Sequence, residues 1–327
     1  MALVTPRRIN AFKRPPRLTE GDTILIVSPA SPPTDSAVFR KAKRYFSQCG
    51  YRVEFGEHAK NTLGFLAGND RARLADLNRG LRSKSVRAIL CVRGGYGTGR
   101  IIHGIDFAAL RRDPKIIVGC SDLTTILSGA ASQSRVISFH GPTVQSLMDS
   151  DCPAFTKNSL MHQISGAKQA RSSILSNYPD AKKTIDVVGK GRATGRLLGG
   201  NLSIILSLIG TPFLPSFDGA ILCLEDVGEP PFRIDRALTH LINLGLLQSV
   251  QGFALGIFDR CAYRAEEARR KQTLRDVIVD RLKPLKKPIV MGLPFGHVPF
   301  NATLPLGALA TLDATKGDLV LEQMGVG

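Results

Sequence analysis

From residue 22 onward, short apolar runs alternate with longer stretches in which apolar and charged positions recur at helical spacing. TILIVSP, YRVEFG, RAILCVRGG, KIIVGCSD and VISFHGP read as strands, and SAVFRKAKRYFSQCG, NDRARLADLNRGLRS and LTTILSGAASQ read as the helices between them. This alternation predicts a mostly parallel sheet flanked by helices, an α/β unit. Such folds place their chemistry in the loops at the carboxyl ends of the strands. Here those loops read SPAS, RGGYGTGR, GCSD and HGP, rich in Gly, Ser and polar residues.

The periodicity fades between residues 150 and 190, where the chain is polar and basic, and a second region follows. It runs through RATGRLLGGNLSIILSLIG, GAILCLEDVG, a helix-like RIDRALTHLINLGLL, GFALGIFD, PIVMGLPFG, ALATLDA and DLVLEQ. Strands dominate its end, which predicts a smaller β-rich, barrel-like domain with helices, its sheet mixed or antiparallel. The division expected is a basic leader over 1–21, an N-terminal α/β domain over 22–155, a linker over 156–190 and a C-terminal β-rich domain over 191–327.

Charge is the unusual part of the composition: 44 Lys plus Arg against 27 Asp plus Glu leave a net +17. A balance of that kind suggests an anionic partner. Its location narrows the suggestion. Residues 1–21 hold five basic residues and one acid, 157–196 eight against two, and 260–287 ten against four, so nearly all of the excess lies in three stretches. There is no Trp, no CxxC and no zinc-finger spacing to accompany them, and the expectation is a protein that binds no nucleic acid. No run is apolar and long enough to span a bilayer, and the basic leader has no apolar segment of the secretory type. The six scattered cysteines, several inside apolar runs, suit reduced thiols in the cytoplasm.

KIIVGCSDLTTIL carries the most chemical information. A buried strand running through Gly-Cys-Ser-Asp into a helix sets Ser121 on a tight turn, with its hydroxyl exposed and helix N–H groups aimed at whatever it attacks. The Asp122 N–H, next in the chain, is a natural oxyanion donor. The same residue types also cap helices. A serine nucleophile needs a base, and of six histidines only His140 in FHGP and His297 in FGHVPF follow apolar runs in turn-like strings; the residues leave both open. The base needs an orienting carboxylate. Glu225 and Asp226 end the apolar strand AILCLED, point oppositely, and have Arg233 and Arg236 nearby as ion-pair partners. RGGYGTGR misses the dinucleotide pattern because Arg100 stands at its last position. Its glycines suit close backbone approach to a substrate or a second oxyanion donor. No HExxH is present, so neither metal nor cofactor is expected.

Taken in order, these strings resemble the LD-carboxypeptidase family of serine peptidases, the murein tetrapeptide carboxypeptidases. The pieces that carry the resemblance are GDTILIVSPAS (21–31), FLAGNDRARLADLN (65–78), RGGYGTGR (93–100), GCSDLT (119–124), FHGP (139–142), GRLLGGNLS (195–203), LEDVGEPPFRIDRAL (224–238) and GLPFGHVPFNATLPLG (292–307), which span about nine tenths of the chain. The resemblance implies Ser121 as nucleophile, His297 as base and Glu225 as its orienting acid, with an oxyanion hole from the N–H groups of Asp122 and Gly95. His140 then becomes a structural support of the cleft. Cys120 stands where many relatives carry an aromatic residue.

The activity implied is hydrolysis of the L-D peptide bond that releases terminal D-alanine from muropeptide tetrapeptides, in cytoplasmic cell-wall recycling by a homodimer. Arg93 and Arg233 are the candidates for holding the substrate's free carboxylate, and the basic linker, Lys182 and Lys183 included, for drawing in an anionic muropeptide. Two other readings remain. A microcin-immunity-type hydrolase of aminoacyl or peptidyl adenylates would share the residues but stack an aromatic, typically Trp, on adenine. A non-catalytic binder of cell-wall peptide or anionic polymer would keep the fold alone.

Overall fold

The computed structural model describes residues 11–166, 171–179, 181–263 and 272–327, with the backbone alone at residue 182. Five parallel strands open the chain: β1 (Thr23–Val27), β2 (Arg52–Phe55), β3 (Val86–Cys91), β4 (Ile116–Gly119) and β5 (Ser138–His140). Alternate residues feed opposite faces. Ile24, Ile26, Ala88 and Leu90 pack with Phe39 and Phe46 of the helix Ala37–Gln48, while Leu25, Val27, Ile89 and Cys91 pack with Leu77 and Leu81 of the helix Asp70–Arg82. Both faces are covered, which is why the central strands β1, β3 and β4 are almost wholly buried, whereas the edge strand β2 is not.

The second sheet uses β6 (Ser172–Ser173), β7 (Asp186–Gly189), β8 (Arg192–Asn201), β9 (Ala220–Glu225), β10 (Gly252–Ile257) and β11 (Ile289–Gly296); after β12 (Leu304–Leu306), β13 (Leu309–Asp313) and β14 (Asp318–Leu321) complete it. Its order is β6-β14-β13-β8-β9-β10-β11-β7. The four central strands, β8 to β11, run parallel, and the outer pairings are antiparallel. The helix Pro231–Asn243 crosses from β9 to β10 and the helix Leu274–Leu282 lies between β10 and β11. The result is a mixed α/β molecule with a parallel-rich first sheet and a β-rich second one.

Three features cut across the expected division. Residues 156–190 are not a plain linker: most of the helix Ala154–Ser165 falls there, burying Leu160 and Ile164 against the first unit, and β6 and β7 pair onto the second sheet. Short edge strands need few apolar residues, so polar composition hid them. With them the second sheet has eight strands to the first sheet's six. Finally, β12 leaves the second unit and pairs antiparallel with β5, Leu304 opposite His140. One apolar core contains Leu25, Leu77 and Ile117 together with Leu197, Ile221, Leu304 and Leu312.

The described part of the leader is mostly exposed but anchored at several points. Lys13 bridges to Val136, Leu18 is buried with its N–H on the Ile164 carbonyl, and the Gly327 N–H donates to the Pro15 carbonyl. Residues 1–10, the side chain of Lys182 and the basic stretch 264–271 lie outside the described residues. Among the described residues no helix is long and apolar enough to cross a membrane, and no group of three or more His, Cys, Asp or Glu is placed to hold a metal ion.

Candidate active site

β4 is buried along its whole length and ends at Gly119. Cys120 is extended, and Ser121 then takes φ +62° before a short turn leads into the helix Thr124–Gly129. Positive φ is uncommon for a residue with a Cβ and stores strain. It turns the Ser121 side chain away from the strand line at the mouth of the sheet, the geometry of a nucleophile elbow. The Asp122 carboxylate is directed elsewhere: it accepts from the Thr98 N–H at 2.9 Å and from Thr98 Oγ1 at 2.8 Å, while the Asp122 carbonyl accepts from the same hydroxyl at 2.6 Å. Burial raises this carboxyl above the usual range, against the opposing pull of the Thr98 bonds. The Asp122 N–H sits in the first turn of its helix, where no intrahelical acceptor exists.

The RGGYG loop arches over this turn. A Cβ on Gly94 would stand 2.7 Å from Ser121 Cβ and 2.9 Å from Ser121 Oγ, so only glycine lets the loop backbone lie this close. The Gly94 carbonyl accepts from the Ser31 N–H, and Ser31 Oγ accepts from the Tyr96 N–H. Thr98 is tied to Asp122. Both feet of the loop are fixed, and Gly95 and Tyr96 are exposed at its crest. Arg73 holds the arrangement from below: it is fully buried and donates to the carbonyls of Pro29 and Gly97 and to Asp70.

Facing this turn are the ends of β9 and β11. His297 Nδ1 lies 2.6 Å from Glu225 Oε2. An ionised carboxylate only accepts, so Nδ1 carries the proton and Nε2 is left to accept. Glu225 is fully buried and the His297 side chain is 21% exposed. Burial alone would lower the imidazole's pKa, but the Glu225 hydrogen bond and charge outweigh it, and the net direction is up. Gly296 makes the approach feasible, since a Cβ there would fall 2.9 Å from Glu225 Oε2. Asp226 points into a different network, accepting from Asn201 Nδ2, the Ser203 N–H, Ser203 Oγ and the Val227 N–H. The Asn201 N–H donates to Thr124 Oγ1, joining β8 to the helix behind Ser121. Glu225 is also near enough to Cys120 for its charge to act there. The structure forms the His297–Glu225 hydrogen bond and does not form one between Ser121 and His297 among the described residues.

Of the other expected residues, Arg93 flanks Gly94, is half-buried, and donates to the Pro32 carbonyl at 3.3 Å. Arg233 is exposed on the helix Pro231–Asn243 and paired with Glu229 at 3.1 Å. Sequence reading missed Ser31, Arg73 and Thr98. Arg73 had a legible signal, because it shares a helix face with Leu77 and Leu81, and an arginine on an apolar stripe requires interior partners.

Fold and site together describe a two-sheet α/β protein with a strained serine turn facing a histidine–carboxylate pair. Family models for the LD-carboxypeptidase N-terminal domain and C-terminal domain match residues 24–141 and 194–312. The Bacillus subtilis (strain 168) protein named "Probable murein peptide carboxypeptidase" is 34% identical over 310 residues, 94% of each chain. The murein tetrapeptide carboxypeptidase of Pseudomonas aeruginosa is 30% identical over 298 residues, 90% of this chain and 94% of its own. Among solved structures, muramoyltetrapeptide carboxypeptidase from Oxalobacter formigenes superposes with a TM-score of 0.80 at 29% identity, covering 91% of this chain and 97% of that one. The wild-type microcin C7 self immunity protein superposes at 0.87 with 21% identity, covering 96% and 100%. The chain belongs to the LD-carboxypeptidase family and is a peptidase of that class.

Proposed function

We propose that this protein hydrolyses the L-D peptide bond that releases terminal D-alanine from muropeptide tetrapeptides, in the cytoplasm, as a step of cell-wall recycling. The observation that carries the reading is the 2.6 Å bond from His297 Nδ1 to Glu225 Oε2 at the mouth of the strained Ser121 turn. It leaves Nε2 as the base for the Ser121 hydroxyl. Attack by Ser121 Oγ on the scissile carbonyl passes its proton to His297, and Glu225 stabilises the imidazolium formed. The tetrahedral oxyanion is held by the N–H groups of Asp122 and Gly95, each worth about 3 kcal/mol in such holes. Collapse gives an acyl-enzyme and D-alanine, whose amine takes the proton from His297; water then resolves the ester by the same route.

Arg93 is the better candidate for the substrate carboxylate, because it adjoins the loop over Ser121 whereas Arg233 is exposed and paired with Glu229. The six free cysteines support a reducing compartment. The family resemblance supports a homodimer, which would sediment at twice the chain mass. The likeness to the microcin immunity protein supports a common fold, and a chain with no Trp offers no indole for an adenine ring.

The test is incubation with a tetrapeptide ending in D-alanine and, separately, with an acyl-sulfamoyl adenylate, reading free D-alanine and free nucleotide product. D-alanine release that disappears in Ser121→Ala is expected. Release that persists in Ser121→Ala, or turnover of the adenylate alone, would overturn the proposal.

A further inference from the structure

His140 closes β5 where β4 and β12 meet it, opposite Gly119 on one side and Leu304 on the other. It is 1% exposed, and neither ring nitrogen has a hydrogen-bond partner among the described residues. Its ring meets that of Phe295 edge-on at 5.9 Å, on β11 and two residues before His297. Glu225 shares the condition: Oε2 is taken by His297, while buried Oε1 has no partner. Interiors leave few polar groups unmatched, and an unmatched carboxylate oxygen is among the costlier ones.

β11 brings the two residues together: Phe295 meets the His140 ring, and the next residue, Gly296, lies against Glu225. The charges of Glu225 and His297 both act on His140, and burial keeps its imidazole neutral. A neutral imidazole carries one N–H donor, and Glu225 Oε1 is an acceptor in need of one. Neutrality also suits the task, since a cation at His140 would compete with His297 for the carboxylate. We propose that His140 is a positioning residue: its ring N–H supplies the hydrogen bond to Glu225 Oε1 across one bridging water, and so keeps Oε2 turned onto His297. The proposal rests on Glu225 and His297 acting as read above.

Two substitutions separate hydrogen bonding from packing. His140→Phe keeps a ring against Phe295 and loses the donor; His140→Asn and His140→Gln keep an N–H donor and lose the ring. Expected is a fall in kcat of roughly ten-fold or more for the Phe variant with KM within about two-fold, and recovery to within about three-fold of wild type in at least one amide variant. In a Glu225→Gln background the Phe substitution should cost little more. A Phe variant within about two-fold of wild type, or amide variants no better than Phe, would overturn the inference. Wild-type and Ser121→Ala activities in the same assay show separately whether the peptidase reading holds. Histidine ¹⁵N NMR of the full chain tests the bond without turnover or change at His140. A neutral ring whose N–H resonance moves on Glu225→Gln is expected, and a resonance indifferent to that substitution would overturn the inference.

Discussion

At the residue scale, the decisive contrast is between adjacent acids. Glu225 and Asp226 leave one strand end on opposite sides; the first meets His297 and the second ties down Asn201 and Ser203. The raised pKa of His297 has a consequence with a definite sign. With His297 as the proposed base, which works when neutral, the acid limb of kcat/KM should lie above the usual imidazole value of about 6.5. Glu225→Gln removes the charge and leaves the burial, so that limb should move to lower pH while kcat falls by about 10⁴-fold. A pH-rate profile checks both, and an unmoved limb would count against Glu225 as the source of the shift.

At the element scale, the loop from Arg93 to Arg100 does more than supply flexibility. Gly94 is the point where its backbone passes over Ser121, and Thr98 locks its far end to Asp122. Gly94→Ala should lower kcat/KM by about 10²-fold or more, since a displacement of about 1 Å is enough to misplace the reacting groups. The clash falls on Ser121 itself and the crest of the loop is free to give, so activity should fall more than the melting temperature; a large loss of stability with activity preserved per folded molecule would show the loop to be structural instead. Thr98→Val removes the hydroxyl bonds to Asp122 and should cost about 1–3 kcal/mol of stability, measurable by urea denaturation.

At the scale of the whole molecule, the two sheets are fastened by β12, a strand the chain sends back from the second unit to the first. Leu304 on that strand is fully buried in a core shared by both sheets. Leu304→Ala should destabilise the protein by about 2–5 kcal/mol and should shift one cooperative transition. Far-UV circular dichroism suits the measurement, the chain having no Trp. Two separate transitions would contradict the shared core.

The alternation of apolar runs and amphipathic stretches by itself determined the five parallel strands of the first sheet and three of its helices, because period and burial are local properties: a strand covered on both faces is buried throughout, and β1 and β4 are. The glycine-rich loops at the strand ends were legible for the same reason. Residues 156–190 were not, since β6 and β7 are edge strands of two and four residues, too short to show a period. Nor did local pattern choose between His140 and His297, or between Glu225 and Asp226. The contact that separates them spans 72 residues and exists only once β9 and β11 are laid in one sheet against the first. Tertiary structure decided the His297–Glu225 pairing because its geometry belongs to strand ends that meet in space, and nothing in the neighbours of either residue encodes that meeting.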